Sequence, residues 1–324
     1  METFDNIKER YKVAIIQQAP VFLDLEKSVE KAAGLITDCA AQGASLVVFG
    51  ETWLPGYPVW TSFDSRFNNP LAKVVYKHLF DNSVEIPGPI TRWLGEMCKK
   101  AGVYLAMGVH ERISSGTLYN CIVFIGPDGR LIGKHRKLVP TYHERLIWGQ
   151  GDGSTLEVFD TSLGRLGGLI CYEHLMPLAR YTLYSKGIQI HTALWPCPVK
   201  PYLVACRNMA AEGRLFVVVA CTYYPESTIE SLNFELFDKI TEWPAHLSQG
   251  GSCVVGPDGE CLVEPVMSDE TVYVDIDLDR IIEEKLIVDA VGHYARPEVF
   301  TLQVNTAPLK PIEFPGENRT PLKQ

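Results

Sequence analysis

The string Gly126-Pro127-Asp128-Gly129 stands between two apolar runs, Cys121 to Ile125 and Leu131-Ile132, and the same four residues return as Gly256-Pro257-Asp258-Gly259 between Cys253 to Val255 and Cys261 to Val263. Proline and glycine in these places suit a reversing turn, so each string reads as the tip of a β-hairpin. One hairpin per half makes the two halves of the chain look alike. Working outward, Val13 to Ala19 reads as a strand, and Leu25 to Gln42 places Val29, Ala32, Ala33, Ile36, Cys39 and Ala40 on one helical face. Gly43 supplies a left-handed stop, and Leu46 to Phe49 is a short apolar run suited to a buried parallel strand. A helix from Pro89 to about Ala101 and a strand from Val103 to Val109 follow, with further helix and strand patterns at 178–187, 188–194, 201–213 and 215–221.

Alternating strands and helices imply sheets covered by helices, and the repeated hairpin implies two such layers packed sheet against sheet. The expected fold is therefore α/β, a four-layer α-β-β-α sandwich. A single doubly wound sheet would call for a phosphate-type glycine turn, and no G-x-G-x-x-G follows an early strand. Without a linker-like stretch, residues 1–306 read as one domain and 307–324, rich in proline, as an extended tail. Residues 54–86, rich in aromatics, and 223–250, with Trp243 and Pro244, read as insertions that line or cover a site.

The 324 residues are 46% hydrophobic and 21% charged, enough for a large core, and their net charge of -9 argues against nucleic acid or an anionic membrane as partner. The first ten residues mix charges of both signs, and nowhere do 18 apolar residues run together, so the expectation is a cytoplasmic protein acting on a small molecule. Nine cysteines lie scattered through apolar stretches without C-x-x-C pairs. That fits free thiols, most of them small core residues, and leaves room for one nucleophile.

Three strand ends release polar residues from apolar runs. Leu46 to Gly50 leads to Glu51, the strand from Leu131 leads through His135-Arg136 to Lys137, and Leu166 to Ile170 leads to Cys171. Ligands collect at the carboxyl ends of strands, so three exits from adjacent strands would bring a carboxylate, an ammonium and a thiol to one pocket. The combination is chemically coherent. An ordinary glutamate is about 4 units too weak to deprotonate a thiol, a gap of roughly 6 kcal/mol, so burial has to raise Glu51 while Lys137 stabilises the sulfur anion and the charge developing on a substrate. Taken singly, each residue has a plainer reading: Cys171 as core, Lys137 as part of a solvated basic patch, Glu51 as a turn cap. Only their coincidence favours chemistry.

Longer strings carry a resemblance. Phe49-Gly50-Glu51 before Trp53-Leu54-Pro55-Gly56-Tyr57-Pro58, then His135-Arg136-Lys137-Leu138-Val139-Pro140-Thr141-Tyr142-His143-Glu144-Arg145, Trp148-Gly149-Gln150-Gly151-Asp152-Gly153 and Cys171-Tyr172-Glu173-His174 resemble the nitrilase superfamily, and within it the nitrilase branch. The likeness runs from about Val13 to Gly292-His293-Tyr294-Ala295-Arg296-Pro297. It implies the four-layer fold, a Glu-Lys-Cys site with neither metal nor organic cofactor, and a homo-oligomer built from dimers. It assigns Glu51 as general base, Lys137 as electrostatic stabiliser, Cys171 as nucleophile and Glu144 as a second glutamate orienting lysine and substrate. This chain departs from the pattern at Tyr172, where the family usually has Trp, and at His174, where many members have Asn.

The expected reaction is hydrolysis of an organic nitrile to the acid and ammonia through a covalent thioimidate and thioester. Tyr57, Trp60, Tyr142, Tyr172, Trp195 and Pro196 are the expected substrate-binding residues, chosen with Trp53 for their nearness in sequence to the reactive groups. The nearest rival is an amidase or carbamoylase using the same groups. A cofactor-binding or redox-sensing protein, and a metal site of Cys171, Glu173 and His174, are remoter readings.

Overall fold

The computed structural model describes residues 7–309 except 63–65, 67, 229–231, 233 and 240–243. Trp243 and most of the proline-rich tail lie outside the described residues. The strands are β1 (Arg10–Ile16), β2 (Ala44–Phe49), β3 (Tyr104–Arg112), β4 (Leu118–Ile125), β5 (Leu131–Arg136), β6 (Val158–Thr161), β7 (Gly164–Ile170), β8 (Ile190–Trp195), β9 (Phe216–Cys221), β10 (Ser252–Val255), β11 (Cys261–Val266) and β12 (Thr271–Asp277). The helices are α1 (Leu25–Ala41), α2 (Pro70–Asp81), α3 (Pro89–Ala101), α4 (Pro177–Ser185), α5 (Tyr202–Gly213) and α6 (Asp279–Lys285).

The two hairpin tips are built alike. Gly129 N–H donates to Gly126 O and Gly259 N–H to Gly256 O, each at 2.9 Å, while Asp128 and Asp258 accept from the amides two residues on, each at 3.0 Å. Both Gly129 and Gly259 adopt φ +85°, which a side chain would oppose. These tips join β4 to β5 and β10 to β11 at one edge of two six-stranded sheets, ordered β12-β1-β2-β3-β4-β5 and β11-β10-β9-β8-β7-β6. In each sheet three central strands run parallel, β1-β2-β3 and β7-β8-β9, and the hairpin strands continue antiparallel on one side. The opposite edge is one antiparallel strand, β6 beside β7 and, arriving from the far end of the chain, β12 beside β1.

Alternation along each strand makes the layers. In β1, Val13 and Ile15 point into the core between the sheets with Leu46, Val48, Ile122 and Phe124, whereas Ala14 and Ile16 point outward with Val47, Phe49, Leu105 and Val123 against α1 and α3. On the other sheet, Leu183 of α4 and Cys206, Met209 and Ala210 of α5 cover the strands. Helix, sheet, sheet, helix is the architecture the repeat implied. Phe22, Trp60, Tyr224, Phe237 and Leu247 form a separate apolar cluster that joins the two inserted segments over one end of the strands. Among the described residues no helix is long and apolar enough to cross a membrane.

Candidate active site

Glu51 opens the turn after β2. That turn lies hard against β3, where a Cβ on Gly108 would sit 2.2 Å from Gly50 O and 2.4 Å from Thr52 N, so glycine in β3 is what lets the glutamate be pressed inward. Lys137 follows β5, its backbone held by Asn120 O and Gly151 N, both at 2.8 Å. Cys171 follows β7 at φ +55°, a left-handed corner costing an L-residue about 1–2 kcal/mol, and opens the 3-10 turn Cys171–Leu175. Glu144 sits on a one-turn 3-10 helix, Tyr142–Leu146, and caps it by accepting from Thr141 N at 2.6 Å.

The expectation that adjacent strands deliver the three groups does not hold. β3 and β4 separate β2 from β5, and β7 belongs to the other sheet. The groups meet because the two sheets present the same ends of these strands to one place, and Glu173 pins the seam. Its carboxylate accepts from Ile170 N of β7 at 2.7 Å, from Leu138 N beyond β5 at 2.6 Å and from His135 Nε2 at 3.0 Å. Burial alone would raise Glu173, but His135 and the two amides hold it below the usual carboxylate range; burial would likewise depress His135, yet Glu173 lifts it.

At the meeting point a carboxylate oxygen of Glu51, one of Glu144 and Sγ of Cys171 all lie within 4.8 Å of one another. Lys137 Nζ donates to Glu51 Oε1 at 2.8 Å and to Glu144 Oε2 at 2.6 Å, and its third N–H has no partner among the described residues. Asn120 Nδ2 also donates to Glu51 Oε1, at 2.6 Å, and Tyr57 OH to Glu144 Oε1, at 2.8 Å. Glu51 Oε2, fully buried, accepts from no described residue. A buried acceptor without a donor is costly unless something else uses it.

Electrostatics follow from this packing. Burial raises Glu51 to about 7, with Glu144 adding to the rise and Lys137 and Asn120 opposing it. Burial would depress Lys137, but Glu144 and Glu51 hold its ammonium charged well above the ordinary range. Cys171 is pushed well up by burial and by Glu51, so it rests as a thiol and is ionised only as it reacts. The cluster of two glutamates and a thiol has the donor types of a metal site, but Lys137 already lies between both carboxylates as their cation. Cys171, Glu173 and His174 do not converge: Glu173 faces the seam, and His174 contacts Cys171 O through Nδ1 at 2.6 Å and His191 through Nε2 at 2.9 Å.

A cleft of about 270 Å³ opens over the sulfur. Of the residues singled out by sequence proximity, Tyr57, Tyr142, Tyr172 and Pro196 line it, joined by His143, Cys197, Val199, Pro244, His246 and Leu247. Trp60 and Trp195 do not. Trp60 is packed edge-on to Phe22 and Phe237, and Trp195 is fully buried behind the corner, stacked on His174 at 5.3 Å. Trp53 is buried against Phe49. Asn120 went unread as a site residue, although it is a lone amide inside the apolar run of β4, and Glu173, two residues after the cysteine, was read only as a ligand in the remote metal reading.

The carbon-nitrogen hydrolase family model matches residues 12–285. The chain belongs to that family. Among curated members it is 39% identical to the aliphatic nitrilase of Sinorhizobium fredii (strain HH103), over 92% of this chain and 97% of that one, and 38% identical to nitrilase 2 of Arabidopsis thaliana, over 94% and 91%. Among solved members, Saccharomyces cerevisiae Nit3, of branch 10 of the nitrilase superfamily, superposes with a TM-score of 0.71 at 19% identity, covering 90% of this chain and 98% of that one. That last likeness speaks for the shared family fold.

Proposed function

We propose that this carbon-nitrogen hydrolase is a nitrilase, converting an organic nitrile to the carboxylic acid and ammonia. The carrying observation is the buried Glu51 with one unpartnered oxygen, set beside both Lys137 and Cys171; likeness to curated nitrilases along nearly the whole of both chains supports the nitrile as substrate.

In this reading Glu51 takes the thiol proton as Cys171 sulfur bonds to the nitrile carbon, and the proton passes to nitrogen, giving a thioimidate. The free N–H of Lys137 faces the charge that develops on that nitrogen. Water, deprotonated by Glu51, adds to the thioimidate; the tetrahedral adduct expels ammonia and leaves a thioester. A second water releases the acid and restores the thiol. Glu144 is the positioning residue that holds Lys137, itself held by Tyr57. The same reading has the chain pairing with copies of itself.

Cys171→Ala tests the chemistry. It is expected to abolish ammonia release, by at least ~10⁴-fold as for loss of a covalent nucleophile, while leaving the melting temperature within a few degrees. Ammonia and product mass are followed over aliphatic, aromatic and arylacetic nitriles and their matched amides. Turnover persisting in the variant removes the nucleophile assignment, and turnover of the amides alone makes the protein an amidase.

A further inference from the structure

The walls of the cleft say which nitriles can enter. Of the described residues that line it, Glu144 is the one carboxylate, and none is Lys or Arg. The ammonium of Lys137 beneath it is already shared between Glu51 and Glu144, so these two carboxylates and one ammonium leave the floor with a net negative charge when Glu51 is ionised.

Several neutral donors of the wall are committed as well. Tyr57 OH is spent on Glu144 at 2.8 Å and Tyr172 OH on Lys200 O at 3.3 Å, and Ser62 Oγ and His143 Nε2 pair with each other at 3.1 Å. Burial keeps His143 below the ordinary imidazole range, against the opposing pull of Glu144, so it is neutral at pH 8. Of the other described residues in the wall, Thr141, Tyr142 and His246 are polar but none is Lys or Arg, and Val59, Pro196, Cys197, Val199, Pro244 and Leu247 are apolar.

We infer that this cleft admits uncharged nitriles and refuses nitriles bearing a carboxylate. The inference rests on the nitrilase reading and narrows its substrate class. A carboxylate on the tail of the substrate would lose its hydration, find no Lys or Arg among the described lining residues, and lie within reach of a net negative floor. A neutral tail of the same shape meets none of these costs. The refusal is therefore a property of charge, independent of length or bulk.

The test uses two molecules of one shape. 5-Oxohexanenitrile and 4-cyanobutanoate differ in that a methyl ketone replaces a carboxylate, and both are small enough for the cleft. With the full-length protein at pH 8, kcat/KM for the ketone is expected to exceed that for the carboxylate by at least ~100-fold, the scale set by an uncompensated buried charge. Val199→Lys puts a cation in the wall and is expected to shrink that ratio at least ~10-fold, as an opposite charge brought within a few ångströms does. Comparable kcat/KM for the two compounds in the unaltered protein overturns the inference while leaving the nitrilase reading intact. A ratio that Val199→Lys leaves unchanged overturns charge as its cause. Failure to hydrolyse the ketone together with every nitrile in the panel overturns both readings at once.

Discussion

Burial lifts Glu51 to about 7, and the sign of its effect on rate follows from the part proposed for it. A base has to start ionised, so kcat/KM is expected to fall about tenfold per pH unit below about pH 7 and to level above it. Asn120 donates to the same carboxylate and favours its charged form, so Asn120→Ala should move the acid limb to higher pH. A pH–rate profile checks this, and a limb that stays put or moves to lower pH would remove Glu51 as the titrating base. At this scale the sequence was informative where a polar residue ends an apolar run: Glu51, Lys137 and Cys171 were legible in that way, and Glu144 through the longer string around it. Asn120 and the bridging part of Glu173 were not, because a lone amide in a strand and a glutamate on a turn each have commoner explanations until their partners are seen. Trp60 and Trp195 show the converse. Nearness in sequence says nothing about which way a ring points, and both rings turn away from the cleft, Trp60 against Phe22 and Trp195 onto the imidazole of His174.

Elements were read from periodicity, and their errors have physical reasons. α1, α3 and the hairpins stood out because caps, glycine stops and turn residues agree with the apolar pattern. α2 was absorbed into an aromatic insertion, although Asn69 caps it and Pro70 opens it. β12 was passed over despite clean alternation, with Val272, Val274 and Ile276 facing in, because its outward positions include two aspartates. Contact between elements can be probed with a matched pair of glycines. A Cβ on Gly95 of α3 would sit 2.2 Å from Gly129 O at the hairpin tip, whereas one on Gly34 of α1 would meet nothing within 4 Å. Gly95→Ala is expected to destabilise by about 1–3 kcal/mol through forced separation of helix and hairpin. Gly34→Ala should stabilise by about 0.5–1 kcal/mol through helix propensity. Urea unfolding of the two variants gives the signs, and equal effects would mean that α3 does not rest on that turn.

For the whole molecule, the repeat of hairpin and helix was enough to imply two facing layers, but nothing in it indicated that the last strand returns to the first sheet. That pairing of β1 with β12 is a contact between the two ends of the chain, which local patterns cannot report. Leu175 in the turn after β7, Leu178 of α4 and Val204 of α5 are exposed, by 45%, 65% and 71%, and are apolar side chains on which the proposed pairing can draw. Sedimentation is expected to find dimers or their multiples, with Leu178→Asp reducing them toward single chains; a monomeric unaltered protein would end the pairing proposal. The way Glu173 bridges β5 and β7 has one more consequence. Base and ammonium ride on one slab and the nucleophile on the other, so a slip of one slab past its neighbour by a single ångström would silence the enzyme with every strand still in register. If the seam gives first on heating, activity is lost at a lower temperature than the circular-dichroism signal of the strands.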